Sequence, residues 1–189
     1  MSEELWQRYD NQGRPLLGQG ANKDDTYKKG LLHGAAHVWI WRSRDSRAEV
    51  LLQKRAANKR TWPNRFDISA AGHIDLGEEP ITAGVRETVE EIGLKVSDND
   101  LVLISVQRMN MPAGEGLVEN EFQWLYLLEL SPDTDFTLEQ SEVDSIVWKS
   151  VADFRKELDD NPDSYVPHSK LYYGTVCSAI EAASAMIKQ

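Results

Sequence analysis

GHIDLGEEPITAGVRETVEEIGL, Gly72 to Leu94, reads as a glycine-bounded turn that runs into a helix. Pro80 suits the first helical position, where its missing N–H would have no intrahelical partner anyway. Glu78 and Glu79 lie where a helix N-terminus favours negative charge. Ile81, Val85, Val89 and Ile92 recur at helical spacing and predict an apolar stripe against a core. Gly93 is the expected stop, because it takes a left-handed backbone without penalty. Glu87, Glu90 and Glu91 stand at i, i+3 and i+4, so three carboxylates share one face away from that stripe. A solvated acidic face is the plain alternative for such a cluster. Here Arg86 alone cannot balance the three charges, and the helix follows a glycine-rich turn. Hard oxygen donors on a rigid element suit Mg²⁺ or Mn²⁺.

Outward from this helix the pattern is rich in strands. Leu5–Tyr9 reads as a strand with Asn11-Gln12-Gly13 as a turn, and residues 18–30 read as a loop. Ala36–Trp41 and Val50–Lys54, on either side of RSRDSRAE, predict a hairpin. Trp62–Arg65 is a turn around Pro63, and Phe66–Gly72 returns as a short strand. Leu101–Arg108, Phe122–Leu130 and Ile146–Lys149 are further strands, and Val151–Leu158 and Lys170–Lys188 are helices. Strands outnumber helices without regular alternation, which predicts an α+β fold: a mixed sheet between helices.

Composition narrows the function. The chain has 189 residues, 41% of them hydrophobic, which suits one domain over residues 1–189. Its 21 basic and 31 acidic residues give a net charge of −10, which argues against a nucleic-acid polymer as partner. The longest apolar runs, such as Leu125–Leu128, are far below the roughly 20 residues needed to span a bilayer. The N-terminus MSEELWQRYD has no apolar signal core, and the single cysteine, Cys177, suits a reducing compartment. A cytoplasmic protein, monomer or homodimer, acting on a small anion is the expectation.

The stretch Gly72–Leu94 resembles the Nudix box, G-x5-E-x7-R-E-U-x-E-E-x-G-U with U aliphatic. Gly72, Glu78, Arg86, Glu87, Glu90, Glu91, Gly93 and Leu94 fall in register, and Thr88 replaces an aliphatic residue on the core side. The resemblance implies a Nudix fold with a loop-helix metal site. It implies Glu87, Glu90 and Glu91 as metal ligands, with the Ala71 carbonyl added, and Glu78 and Arg86 as braces for loop and helix.

LLHGAAHVWI, LLQKRAANKRTWPNRFDISAAGH and ENEF extend the likeness to the branch holding type I isopentenyl-diphosphate isomerases and their hydrolase-like relatives. That resemblance implies that His33 and His73 help bind metal, with Glu119 and Glu121 near it and Glu121 catalytic. It gives Arg55 and Lys59 the substrate diphosphate, although a solvated basic run is their plain alternative. The isomerases need a cysteine where this chain has Ala71, and a further metal histidine where it has Thr26. Isomerisation needs a proton donor and an acceptor on opposite faces of the alkene. Hydrolysis of a diphosphate linkage needs only the metal-bearing, phosphate-gripping part.

The expected activity is therefore metal-dependent hydrolysis of a small organic diphosphate, either a nucleoside diphosphate derivative or an isoprenoid diphosphate. An isomerase-like enzyme and a non-catalytic diphosphate sensor are the alternatives. Glu121, Glu142 and Glu90 are the catalytic candidates, with Glu121 favoured over Glu142 as general base. His37 reads as a core histidine, Trp62 as a packing residue and Cys177 as a small buried apolar residue. His168, after Pro167, has no partner recognisable in the sequence.

Overall fold

The computed structural model describes residues 4–187. The expectations for residues 1–3 and for a helical Lys188 lie outside them. The elements are β1 (Trp6–Tyr9), β2 (Pro15–Ala21), α1 (Lys23–Lys29), β3 (His33–Arg44), β4 (Arg47–Arg55), β5 (Phe66–Asp67), β6 (Ala70–His73) and α2 (Pro80–Ile92). They continue with β7 (Leu101–Gly114), β8 (Leu117–Glu129), β9 (Val143–Ser150), α3 (Val151–Asp160) and α4 (Lys170–Ile187).

The sheet is mixed, as expected, and β3 organises it. Along one edge β3 pairs in parallel with β8, from His33↔Glu121 to Trp41↔Glu129. Along the other it pairs antiparallel with β6 through Ala35–Val38 and with β4 through Trp41–Arg44. The predicted hairpin is longer than expected. It closes at Asp45 and Ser46, both in left-handed conformations that match the twist of the flanking strands. The segment from β5 to β6 crosses from β4 to β3, and β9 covers the far edge of β4.

Alternation along β3 divides the core between two faces. Trp39 and Trp41 join Leu125, Leu127, Phe154, Tyr172 and Ile180 beneath α3 and α4. Ala36, Val38 and Ile40 join Ala83, Ile92, Tyr126 and Leu128 beneath α2. A strand covered on both faces carries an unbroken apolar run, which explains HGAAHVWIW.

Helix α2 starts at Pro80 and ends at Gly93, whose φ is 72°. Its buried side differs from the predicted stripe. Val89 is 42% exposed, while Ala83, Gly84, Thr88, Glu91 and Ile92 are buried. Small residues decide this rotation: a Cβ on Gly84 would lie 3.2 Å from Val38 and from Leu101. Thr88 is tolerated in the core because its hydroxyl donates to the Gly84 carbonyl at 2.7 Å.

The expected loop over residues 18–30 is instead β2 and α1. The Asn22 side chain caps α1 by accepting from Asp25 N, and Gly30 closes it in the left-handed region. Its sequence, KDDTYKK, has no apolar stripe to reveal it; only Thr26 and Tyr27 are buried.

Phe154 is fully buried, with its ring centroid 5.6 Å from those of Tyr165 and Tyr173 and 5.9 Å from that of Trp39. Phe154→Ala is expected to cost about 3–5 kcal/mol. Tm should fall by roughly 10 °C, and calorimetry showing an unchanged Tm would contradict this packing.

Candidate metal and substrate site

Strand register builds the first part of the site. His33 lies opposite Glu121 on β8, and Ala35 lies opposite His73 on β6. Alternation puts His33, His73, Glu119 and Glu121 on one face, the same face that carries Trp39 and Trp41 further along β3. One ligand atom from each of the four lies within 4.8 Å of the others. His33 Nδ1 is 2.9 Å from the Leu31 carbonyl, which can only accept. Nδ1 therefore carries a proton, and loss of a second proton from Nε2 would turn that atom's lone pair inward. That atom lies 3.5 Å from Glu121 and 3.6 Å from Glu119.

His33 Nε2 and Glu119 Oε1 are buried without a hydrogen-bond partner among the described residues. Two imidazoles and two carboxylates, with orphaned donor atoms converging, fit a divalent cation. In its absence the two carboxylates overcome burial and hold the His33 ring charged above its ordinary range. Glu121 in turn stays ionised despite burial, because His33 faces it. Trp6 stacks on His73 at 3.5 Å and 10° between planes, which holds that ring in place.

The helix carboxylates form the second part. Arg86 donates through Nε and Nη2 to Glu78 at 3.0 Å, through Nη2 to the His73 carbonyl at 3.0 Å, and through Nη1 to Glu87 at 2.5 Å. Glu78 also accepts from Asp75 N, so one guanidinium ties turn, strand and helix together. A Cβ on Gly72 would collide with the Glu87 carboxylate. Glu91 is only 6% exposed and accepts from Ala71 N at 3.0 Å and Gln53 Nε2 at 3.3 Å. Burial, then repulsion from Glu87, push its carboxyl up to about 8. Glu90 keeps its side chain 60% exposed.

Glu87, Glu90 and Glu91 line an open cleft of about 880 Å³ together with Lys59 and Glu142. Glu119 and Glu121 line a smaller cavity of about 110 Å³. The two share Ala71, Gly72, His73 and Arg55 on their walls. The candidate bases are thus separated, Glu121 in the inner cavity and Glu142 in the cleft. Lys59 forms an ion pair with Glu142. Arg55 directs its fork into the protein, to Asp67 at 2.9 Å and to the Thr61 carbonyl at 3.1 and 3.2 Å.

His37 is tied into the same face. The Tyr172 hydroxyl accepts from the Trp39 indole at 3.0 Å, which leaves its own proton for His37 Nδ1 at 2.7 Å. His37 Nε2 then faces Glu121 at 3.8 Å. Asp67, Gln53 and Trp6 were not marked by any motif, and their roles emerge only from these contacts.

The NUDIX domain family model matches residues 31–169. An uncharacterized Nudix hydrolase of Clostridium acetobutylicum is 29% identical, over 95% of this chain and 98% of its own. An isopentenyl-diphosphate Delta-isomerase of Aliivibrio fischeri is 34% identical, over 86% of this chain and 90% of its own. A NUDIX hydrolase structure from Alicyclobacillus acidocaldarius superposes with a TM-score of 0.63 at 16% identity, over 80% of this chain and 91% of that one.

The raised carboxyl of Glu91 makes the metal-free fold sensitive to pH. A protonated Glu91 favours the native state, so its contribution is full below the ordinary value of 4.5 and is lost as pH rises through about 8. In chelator, Glu91→Gln should therefore raise Tm above the parent at about pH 8.5, with the difference shrinking toward pH 4.5. Superimposable melting curves across that range would refute the buried-charge account.

Proposed function

The chain belongs to the Nudix family and is a hydrolase acting on phosphoric anhydride bonds, and we propose that it cleaves a small organic diphosphate with Mg²⁺ or Mn²⁺. The observation that carries this is the meeting of two donor sets across one four-residue strand, β6. Glu87, Glu90 and Glu91 approach it from α2, and His33, His73, Glu119 and Glu121 gather beside it. We assign the first set, with the Ala71 carbonyl, to one ion and the second set to another. Divalent ions held there would neutralise diphosphate oxygens and lower the pKa of a water beside them.

The chain's own groups supply the rest. Lys59 offers a cation to the phosphate once it leaves Glu142. Arg55, engaged by Asp67 and Thr61, shapes the wall more than it grips substrate. Glu142 lines the cleft and takes the proton of the attacking water. Water adds across the P–O–P linkage, and two phosphate-bearing products leave. Glu121 was the base favoured by resemblance. Its contacts with His33 and Gln123 favour the charged form and suit a ligand better than a proton acceptor. We take the chain as one domain, working in the cytoplasm as a monomer or homodimer. A charge of −10 speaks against a polynucleotide partner, and no helix of the described residues is long and apolar enough to cross a membrane.

A second function, isomerisation of isopentenyl diphosphate, is favoured by the His33–His73–Glu119–Glu121 cluster and by the 34% identity to an isomerase. Against it stands the methyl group of Ala71, which cannot move a proton. Incubation with isopentenyl diphosphate and Mg²⁺ is expected to yield no dimethylallyl isomer by NMR, and metal-dependent isomer at catalytic rates would reverse the assignment.

For the base, Glu142→Gln should lower kcat by about 10²–10⁴-fold. Glu121→Gln should instead weaken the rise of Tm that added Mn²⁺ gives the parent. Phosphate release and metal-titrated melting measure both. A near-parental Glu142→Gln beside an inactive Glu121→Gln that still responds to Mn²⁺ would exchange the roles.

A further inference from the structure

Gln53 occupies a position that the pattern of β4 gives to an apolar side chain. Alternation places it on the face of Leu51, which packs beneath α2 with Ala70 and Ile92. It is 2% exposed, and its neighbours across the sheet are Asp67 and Ile146. Its amide is only half satisfied. Nε2 donates to the Glu91 carboxylate at 3.3 Å, whereas the amide oxygen is buried without a hydrogen-bond partner among the described residues. An unpaired buried carbonyl costs stability, so an apolar residue of this length would suit the core better. Departures from that rule gather at functional sites.

The single hydrogen bond that Gln53 does make is selective. It goes to Oε2 of Glu91, the same oxygen that accepts from Ala71 N at 3.0 Å. One donor comes from β4 and the other from β6, so two strands grip one carboxylate oxygen and set the plane of the group. The other oxygen, Oε1, takes no hydrogen bond among the described residues and is not sealed from solvent, since Glu91 lines the open cleft. Glu87 and Glu90 line that cleft too. A glutamine suits such a place because it donates without adding charge. A second carboxylate there would add to the repulsion among these acids, and an ammonium would compete with a metal ion for them.

We propose that Gln53 is a positioning residue of the helix ion site: with the Ala71 amide it fixes Oε2 of Glu91 and so presents Oε1 to a divalent cation. The inference rests on the reading of Glu91 as a metal ligand. Gln53 itself touches neither cation nor substrate and acts only through Glu91. Partners of this kind, one bond removed from the ion, commonly set metal affinity within a factor of about 10–100.

The test compares the parent with Gln53→Met, Glu91→Gln and the double variant, titrating Mn²⁺ by EPR and measuring Tm in chelator. Methionine keeps the length of the side chain and removes both polar atoms. Gln53→Met should weaken Mn²⁺ binding by about 10-fold or more, while Tm in chelator holds or rises because the orphaned carbonyl is gone. In the Glu91→Gln background the same change should weaken binding no further, since the two residues act as one unit. Parental Mn²⁺ affinity in Gln53→Met beside a weakened Glu91→Gln would overturn the positioning role alone. So would a full additional loss in the double variant, or a fall of Tm in chelator alongside the loss of affinity, which marks a structural role. Parental affinity in Glu91→Gln would overturn the ligand reading and the positioning role with it. Should Gln53→Met not fold, a crystal structure of the parent with Mn²⁺ decides. Oε1 of Glu91 on the ion, with Oε2 still held by Gln53 and Ala71, is the expected result, and Oε2 on the ion with those donors released would overturn the proposal.

Discussion

The site depends on how closely helix α2 approaches strand β6, and a missing Cβ sets that distance. At Gly72 any side chain would occupy the space taken by the Glu87 carboxylate. With hydrogen in that place, Glu91 reaches the Ala71 amide and Arg86 reaches the His73 carbonyl. The helix is thereby clamped to the strand by charged hydrogen bonds, which are stronger than neutral ones and more demanding in geometry. The acids assembled by this approach repel one another and are partly dehydrated, so the metal-free fold carries an electrostatic penalty. Arg86 relieves some of it through Glu78 and Glu87. Cations bound there would relieve the rest and so would couple binding energy to fold stability at this strand.

The opposite face of the same sheet obeys a different constraint. The odd-numbered residues of β3 run from His33 and His37 to Trp39 and Trp41, and those of β8 from Glu119 and Glu121 to Leu125 and Leu127. One continuous face therefore changes from ionisable to apolar within a few residues. The apolar half anchors α3 and α4. Tyr172 on α4 carries that anchorage into the polar half, since its hydroxyl joins Trp39 to His37 and its ring supports His168. The aromatic core thus serves as the rigid wall on which the histidines are oriented, which is what a preorganised site requires.

The helix carboxylates, their braces and the turn around Gly72 were legible in the sequence because all of them belong to one local element. Periodicity, a proline at the start and a glycine at the end are signals that need no knowledge of distant residues. The mixed α+β architecture was legible for the same reason, as β-rich runs separated by polar turns. Where local signals were weak, expectation and structure part. Helix α1 is too short and polar to show a stripe, and Val89 turns outward because Ala83 and Gly84 let the helix settle on their side.

By itself the sequence determined the helix that carries Glu87, Glu90 and Glu91, the spacing of those acids and the family to which such a helix belongs. Tertiary structure alone decided that His33 and Glu121, far apart in the chain, face one another, because that follows from the register of a parallel strand pair. It also decided that Arg55 turns toward Asp67, that Lys59 pairs with Glu142, and that His168 lies buried against Tyr172. Spacing along a helix is a property of covalent geometry, whereas register, burial and the pairing of distant charges are settled only when separate elements pack.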